Sequence, residues 1–137
     1  MEAMMQSLGS GLPVLILHFA VTLTILIAGV VIYEWMTPYP ELKLVREGNT
    51  AAAIALSGAM LSLAIPLAFS MAVSVSVIDI LAWGGVTLVI MLVIYRLIDF
   101  LLKDLPKRIE DGEVGAAILL SGVKLSVSVI TAAAVSG

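Results

Sequence analysis

The chain contains no cysteine and a single histidine, His18. Disulfides and thiolate chemistry are thereby excluded, and the paired imidazoles of a metal site are missing, so no metal is expected. Charge is also sparse, with seven Lys and Arg against ten Asp and Glu. No basic tract or face is present to follow a phosphate backbone, and a nucleic-acid partner is not expected. The chain has no glycine-rich phosphate loop with its lysine and no Ser, His and Asp set that could be assembled. Neither catalysis nor a cofactor is expected.

What fills the chain is apolar: 61% of residues are hydrophobic and the mean hydropathy is +1.17, which is the composition of an integral membrane protein. The apolar residues fall in four long blocks, approximately Leu12 to Met36, Ala51 to Ala72, Ile80 to Leu101 and Gly115 to Ser136. Each block supplies the roughly 20 apolar residues that a helix needs to cross the hydrocarbon. Pro38 and Pro40 close the first, Asn49 or Thr50 caps the second, and Pro106 and Gly112 separate the third from the fourth. The residues before the first block carry Glu2 and no basic region, so it reads as a retained span rather than a cleaved signal.

Orientation follows from Lys and Arg in short loops, which resist translocation. Lys43 and Arg46 lie between spans one and two, and Arg96, Lys103, Lys107 and Arg108 lie between spans three and four or at the adjoining helix end. The N-terminal segment, the Val73 to Asp79 turn and the C-terminus hold none. Loops 37–50 and 102–114 are therefore expected in the cytoplasm and both termini on the outer side. Tyr33, Trp35 and Tyr39 sit at the inner boundary and Trp83 near the outer one, as headgroup-level aromatic rings do.

The second and fourth spans repeat one another. Gly48 matches Gly112, and the same shift aligns Ala52, Ala53, Ile54, Leu56, Ser57, Gly58, Leu61 and Ser62 with Ala116, Ala117, Ile118, Leu120, Ser121, Gly122, Leu125 and Ser126. "IYE" at Ile32 to Glu34 likewise matches "IYR" at Ile94 to Arg96. The expected fold is all-α: a single membrane domain of four transmembrane helices, built as two parallel two-helix repeats over about 12–74 and 76–137. An even number of crossings per copy puts the pseudo-two-fold axis along the membrane normal and gives a four-helix bundle.

Lipid is as apolar as leucine, so helices in a bilayer associate by close approach of small residues. Gly58, Ser62, Pro66, Ser70 and Ser74 form one such stripe at i+4 spacing in span two, and Gly122 and Ser126 begin its counterpart in span four. Tight packing of the two spans, on each other or on a neighbouring subunit, is expected; a hydroxyl-lined substrate path is the alternative. Pro66 removes a backbone hydrogen bond, and Ser62 is placed to compensate.

Lys124 stands where the first copy has Met60, about midway along span four. An ionisable group there is expensive, which marks it as functional by default. Two readings stand: the stem runs toward water or donates to Ser121, Ser126 or Ser128, or the ammonium faces a wet cavity or subunit interface near His18. His18 itself reads as a hydrogen-bonded imidazole rather than a ligand. Glu34 and Arg96 occupy equivalent inner ends of spans one and three and are expected to form an ion pair. Leu42 with Val45, and Leu105 with Ile109, place apolar groups on one face of each charged loop, where anionic lipid is a candidate partner.

"TPYPELKLVREGNTAAAIALSGAMLSLAIPLA" at Thr37 to Ala68, "AWGG" at Ala82 to Gly85 and the second glycine-led copy from Gly112 carry a further signal. Over nearly the whole chain they resemble the bacterial domain-of-unknown-function 350 family, the YjfL-like inner membrane proteins. The resemblance implies a small polytopic inner-membrane protein made of two-helix repeats, and it implies no activity and no catalytic residues. Two function classes follow: a non-enzymatic assembly module, as a homo-oligomer or with other membrane subunits, or a homo-oligomeric channel or transporter component lined by Lys124.

Overall fold

The computed structural model describes residues 1–137. Six helices follow one another: α1 (Glu2–Met36), α2 (Glu41–Arg46), α3 (Thr50–Val73), α4 (Val77–Leu101), α5 (Asp104–Glu110) and α6 (Val114–Ser136). The four long ones are each long and apolar enough to cross a membrane. Their ends fall within a few residues of the expected spans, except that α1 begins at Glu2. Gly9 and Gly11 lower helix propensity there without breaking the ladder. At 1.5 Å per residue the 35 residues of α1 reach roughly 52 Å, well beyond a hydrocarbon core of about 30 Å.

The charged loops are not mere turns. Each folds into a short helix that closes with a glycine in the left-handed region, Gly48 at φ +91° and Gly112 at φ +90°. Around them Gly48 N–H donates to the Val45 carbonyl and Asn49 N–H to that of Leu44; Gly112 and Glu113 repeat this toward Ile109 and Arg108. This is the paired bonding of a Schellman stop, and it needs a residue without a Cβ penalty at positive φ. The same order of long helix, short helix, glycine stop and long helix therefore occurs in both halves.

Asn49 ties the two halves together. Its Oδ1 accepts from the Ala52 N–H and caps α3, while its Nδ2 donates to the carbonyls of Ile109 and Glu110, both at 3.2 Å, at the end of α5. Asn49→Ala is expected to cost about 1–2 kcal/mol in thermal unfolding, since a helix cap and a cross-half donor disappear together. Asn49→Asp keeps the cap and loses the donor, and should fall between the two. In the second half Glu113 stands at the matching place but makes no cap. Its carboxylate instead receives Nε and Nη2 of Arg108, both at 2.7 Å, and that guanidinium holds Glu113 below the usual carboxylate range. The pair is exposed, so it contributes little to stability.

Inside the membrane α3 is the hub. It touches α1, α4 and α6, and its interface with α6 is the most extensive in the molecule. A methyl group on Gly58 would overlap the Ser121 side chain and stand 3.2 Å from the Ser121 Cα. This is the close helix approach that small residues permit. Hydroxyls then stitch the two helices: Ser121 Oγ donates to the Ile54 carbonyl at 3.1 Å, and Ser128 Oγ donates to the Ser62 carbonyl at 2.7 Å. The second bond answers a specific deficit. Pro66 has no N–H, so the Ser62 carbonyl four residues earlier loses its ladder partner. Ser128 replaces it from across the interface, whereas the Ser62 hydroxyl, assigned that task on sequence, donates to the Gly58 carbonyl.

The small residues of the repeat are not used symmetrically. Gly58, Ser62 and Pro66 are buried, but Gly122 and Ser126 are exposed, and a methyl on Gly122 would meet nothing. Of the two packings expected for Gly122 and Ser126, on span two or on a neighbouring subunit, the first is therefore corrected: neither residue meets α3 in the close contact. α6 lies against the bundle through Ala117, Ser121, Lys124, Ser128 and Ala132, a stripe rotated away from the glycine. The difference arises because α3 has neighbours on several sides while α6 packs chiefly on α3.

Candidate functional site

Cβ atoms tilt toward the N-terminus of their helix. α6 runs away from the α5 end of the bundle, so Lys124 leans back toward that end, while Tyr33, Tyr95 and Asp99, near the C-termini of α1 and α4, lean into the membrane to meet it. The four side chains converge. Lys124 is 1% exposed, and its Nζ lies 3.4 Å from Asp99 Oδ1 and 3.4 Å from the Tyr33 hydroxyl, to which it donates. The ammonium also stands over both rings, 4.8 Å from the Tyr33 centroid and 4.9 Å from that of Tyr95. The rings meet edge to face at 5.9 Å, and Tyr95 donates to the Ala59 carbonyl of α3 at 3.4 Å. An intramembrane cation is thus held by a carboxylate, a hydroxyl and two π faces, the partners that make its burial tolerable.

A second carboxylate reaches the cluster from the loop. Glu41, the first residue of α2, is 0% exposed. Its Oε1 accepts from the Tyr39 hydroxyl at 3.4 Å, and its Oε2 has no partner. Burial pushes the Glu41 carboxyl up to about 7; the hydroxyls of Tyr33 and Tyr39 and the charge of Lys124 oppose that shift, and Glu34 adds to it. Burial, with the Glu41 charge second, raises Tyr39 above the usual phenol range. Asp99, at 11% side-chain exposure, is the link to the outside. It borders a groove of about 260 Å³ lined by Pro38, Arg96, Asp99, Phe100, Lys103 and Pro106.

The sequence candidates are distributed differently from expectation. Lys124 donates to none of Ser121, Ser126 or Ser128 in the cluster, and His18 is not beside it. His18 lies fifteen residues before Tyr33 on α1, roughly 22 Å away; its side chain is half-buried and its carbonyl accepts from Thr22. Glu34 and Arg96 do not pair. Glu34 Oε1 caps α2 by accepting from the Leu42 N–H at 2.8 Å, and Arg96 donates to the Met36 carbonyl at 3.2 Å. Each satisfies an orphan backbone group at a helix end, a nearer partner than the other charge. Trp35 and Trp83 are exposed, as headgroup-level rings should be, but Tyr33 and Tyr39 are buried. Leu105 and Ile109 are also buried, so the apolar side of α5 packs on the bundle.

Asp99, Tyr95 and Glu41 were not legible as site residues. One signal pointed to Asp99: a lysine inside a span requires a counter-charge, and Asp99 is one of few acids within a helical turn of a span end.

Comparison with known proteins agrees with this picture of a small polytopic helical protein. Two curated relatives, each described as "UPF0719 inner membrane protein YjfL", come from Escherichia coli strain K12 and from Escherichia coli O157:H7. Each is 31% identical over 116 residues, covering 85% of this chain and 88% of the relative. No solved structure matches. The family model described as "Domain of Unknown Function (DUF350)" matches residues 7–135, and with four apolar membrane-length helices arranged as above, the chain belongs to that family of multi-pass inner-membrane proteins.

Proposed function

We propose that this protein is a non-enzymatic assembly module of the inner membrane, associating with further copies of itself through α1. The observation that carries the reading is the exposure of that helix, whose C-terminal half alone packs on α3 and α4. Of its 35 residues only Gly29 and Tyr33 are buried, and its first three turns continue past the length of the other spans with Met4, Met5 and Leu8 exposed. A helix longer than the hydrocarbon thickness tilts, kinks or thickens the bilayer around it, and the cost of that mismatch favours helix–helix association; a second α1 alongside covers the apolar turns that lipid does not reach. Both termini lie on the periplasmic side in this reading, supported by the Lys and Arg of the two charged loops. Anionic lipid is a partner for Lys43, Arg46 and Lys107 on the cytoplasmic side.

The alternative, a conducting ring lined by Lys124, is disfavoured because that side chain points into its own subunit, against Asp99. The absence of cysteine makes the test clean. Single cysteines placed from Leu8 through Phe19 should form disulfide-linked dimers on mild oxidation in membranes, with yields peaking every three or four positions. Uniformly absent cross-links, with a monomer mass in mild detergent, would remove the proposal. Flux in vesicles that is lost in Lys124→Met would favour the conducting alternative instead.

A further inference from the structure

The geometry points to an internal proton site: Glu41 carries a proton while α2 lies docked on the bundle, and loss of that proton frees α2. The inference is independent of how copies associate, because every group in it belongs to one chain.

The charge count comes first. Lys124 and Asp99 face each other at 3.4 Å and cancel. Glu41 is then the third charge in the same enclosure, 0% exposed and with Oε2 unpartnered. No other cation is placed to neutralise it. α1 presents Tyr33 and the like-charged Glu34, the loop presents Tyr39, α4 presents Asp99 and α6 presents Lys124; α3, which packs on α2, contains no titratable side chain. An ionised Glu41 would leave a net negative charge in a largely enclosed site, which is expensive, whereas one bound proton makes the cluster neutral. The upward shift of Glu41 to about 7 accords with this.

The element that responds is small. α2 has six residues and is held by the apolar cluster that includes Tyr39, Ala51, Leu44 and Val45. It can leave without disturbing a span. The sign is fixed by the direction of the shift: a carboxyl raised from 4.5 to about 7 by docking favours the docked state fully below 4.5, and that advantage is lost as pH rises through about 7.

Infrared spectroscopy of the protein in lipid vesicles, titrated between about pH 5 and 9, reads the proton directly as the carbonyl stretch of a buried carboxylic acid. The native protein should show one such band with a midpoint within about one unit of 7, and Glu41→Gln should lack it. In Asp99→Asn the midpoint should move down, because Glu41 becomes the sole counter-charge of Lys124. No buried-acid band at any pH, or a band unchanged in Glu41→Gln, overturns the site. Docking is read separately with Ala51→Cys, a position 0% exposed in the α2 contact. Its labelling by a water-soluble maleimide should rise several-fold as pH passes 7 and stay low when Glu41→Gln is added. Labelling independent of pH overturns the coupling to α2.

Discussion

Lys124→Met is expected to destabilise the protein by about 3–5 kcal/mol, because it leaves the Asp99 carboxylate in a mostly dry site without its counter-charge. Methionine is the residue that the first half of the chain carries at the matching position, Met60, which is 43% exposed. Volume and helix propensity are therefore nearly preserved, and the loss isolates the charge. Unfolding in detergent, followed by circular dichroism, measures it. The double change Lys124→Met with Asp99→Asn should recover most of the difference, since a buried ion pair replaced whole by neutral groups is often close to neutral in stability. A single variant as stable as the native protein, or a double variant no better than the single one, would show that the pair does not govern the cluster.

The second large effect separates two glycines that occupy equivalent positions in the repeat. Gly58→Leu should cost about 3 kcal/mol, the upper end for inserting volume into a packed interface, because even a methyl group there collides with Ser121 and approaches its backbone. The obstacle is main chain as well as side chain, so rotamer changes cannot absorb it. Gly122→Leu, in contrast, meets open space and gains helix propensity, so within an isolated chain it should be neutral or mildly stabilising. Equal losses at the two positions would mean that α6 uses its glycine face as well. Measured in membranes rather than in detergent, the Gly122 variant also reports whether that face meets another chain.

The contrast between these glycines shows where sequence reading works and where it stops. The four spans, the Asn49 cap of α3 and the close approach of α3 to α6 follow from apolar block length, cap-forming residues and small-residue spacing, which are local properties. Rotation of a helix about its own axis is not local. It depends on how many neighbours surround each helix, and the repeat, which aligns Gly58 with Gly122, carries no record of that difference. The same limit applies to the site. Lys124 was conspicuous because an isolated charge in a span is anomalous, but Asp99 and Glu41 sit near span ends and in a loop, where acids are unremarkable. Only the tilt of side chains toward helix N-termini, together with the inward folding of Tyr39 and α2, brings them to the ammonium. Glu34 and Arg96 failed as a pair for a related reason: the backbone groups exposed at the ends of α1 and α2 claimed them first.

The bond from Ser128 to the carbonyl that Pro66 leaves bare has a bearing on how the protein is made. α3 leaves the ribosome well before α6, and until Ser128 arrives the early hairpin carries an acceptor that hydrocarbon cannot satisfy. The first half alone is therefore incompletely satisfied in hydrocarbon. The late-synthesised half then completes the first one chemically as well as covering it.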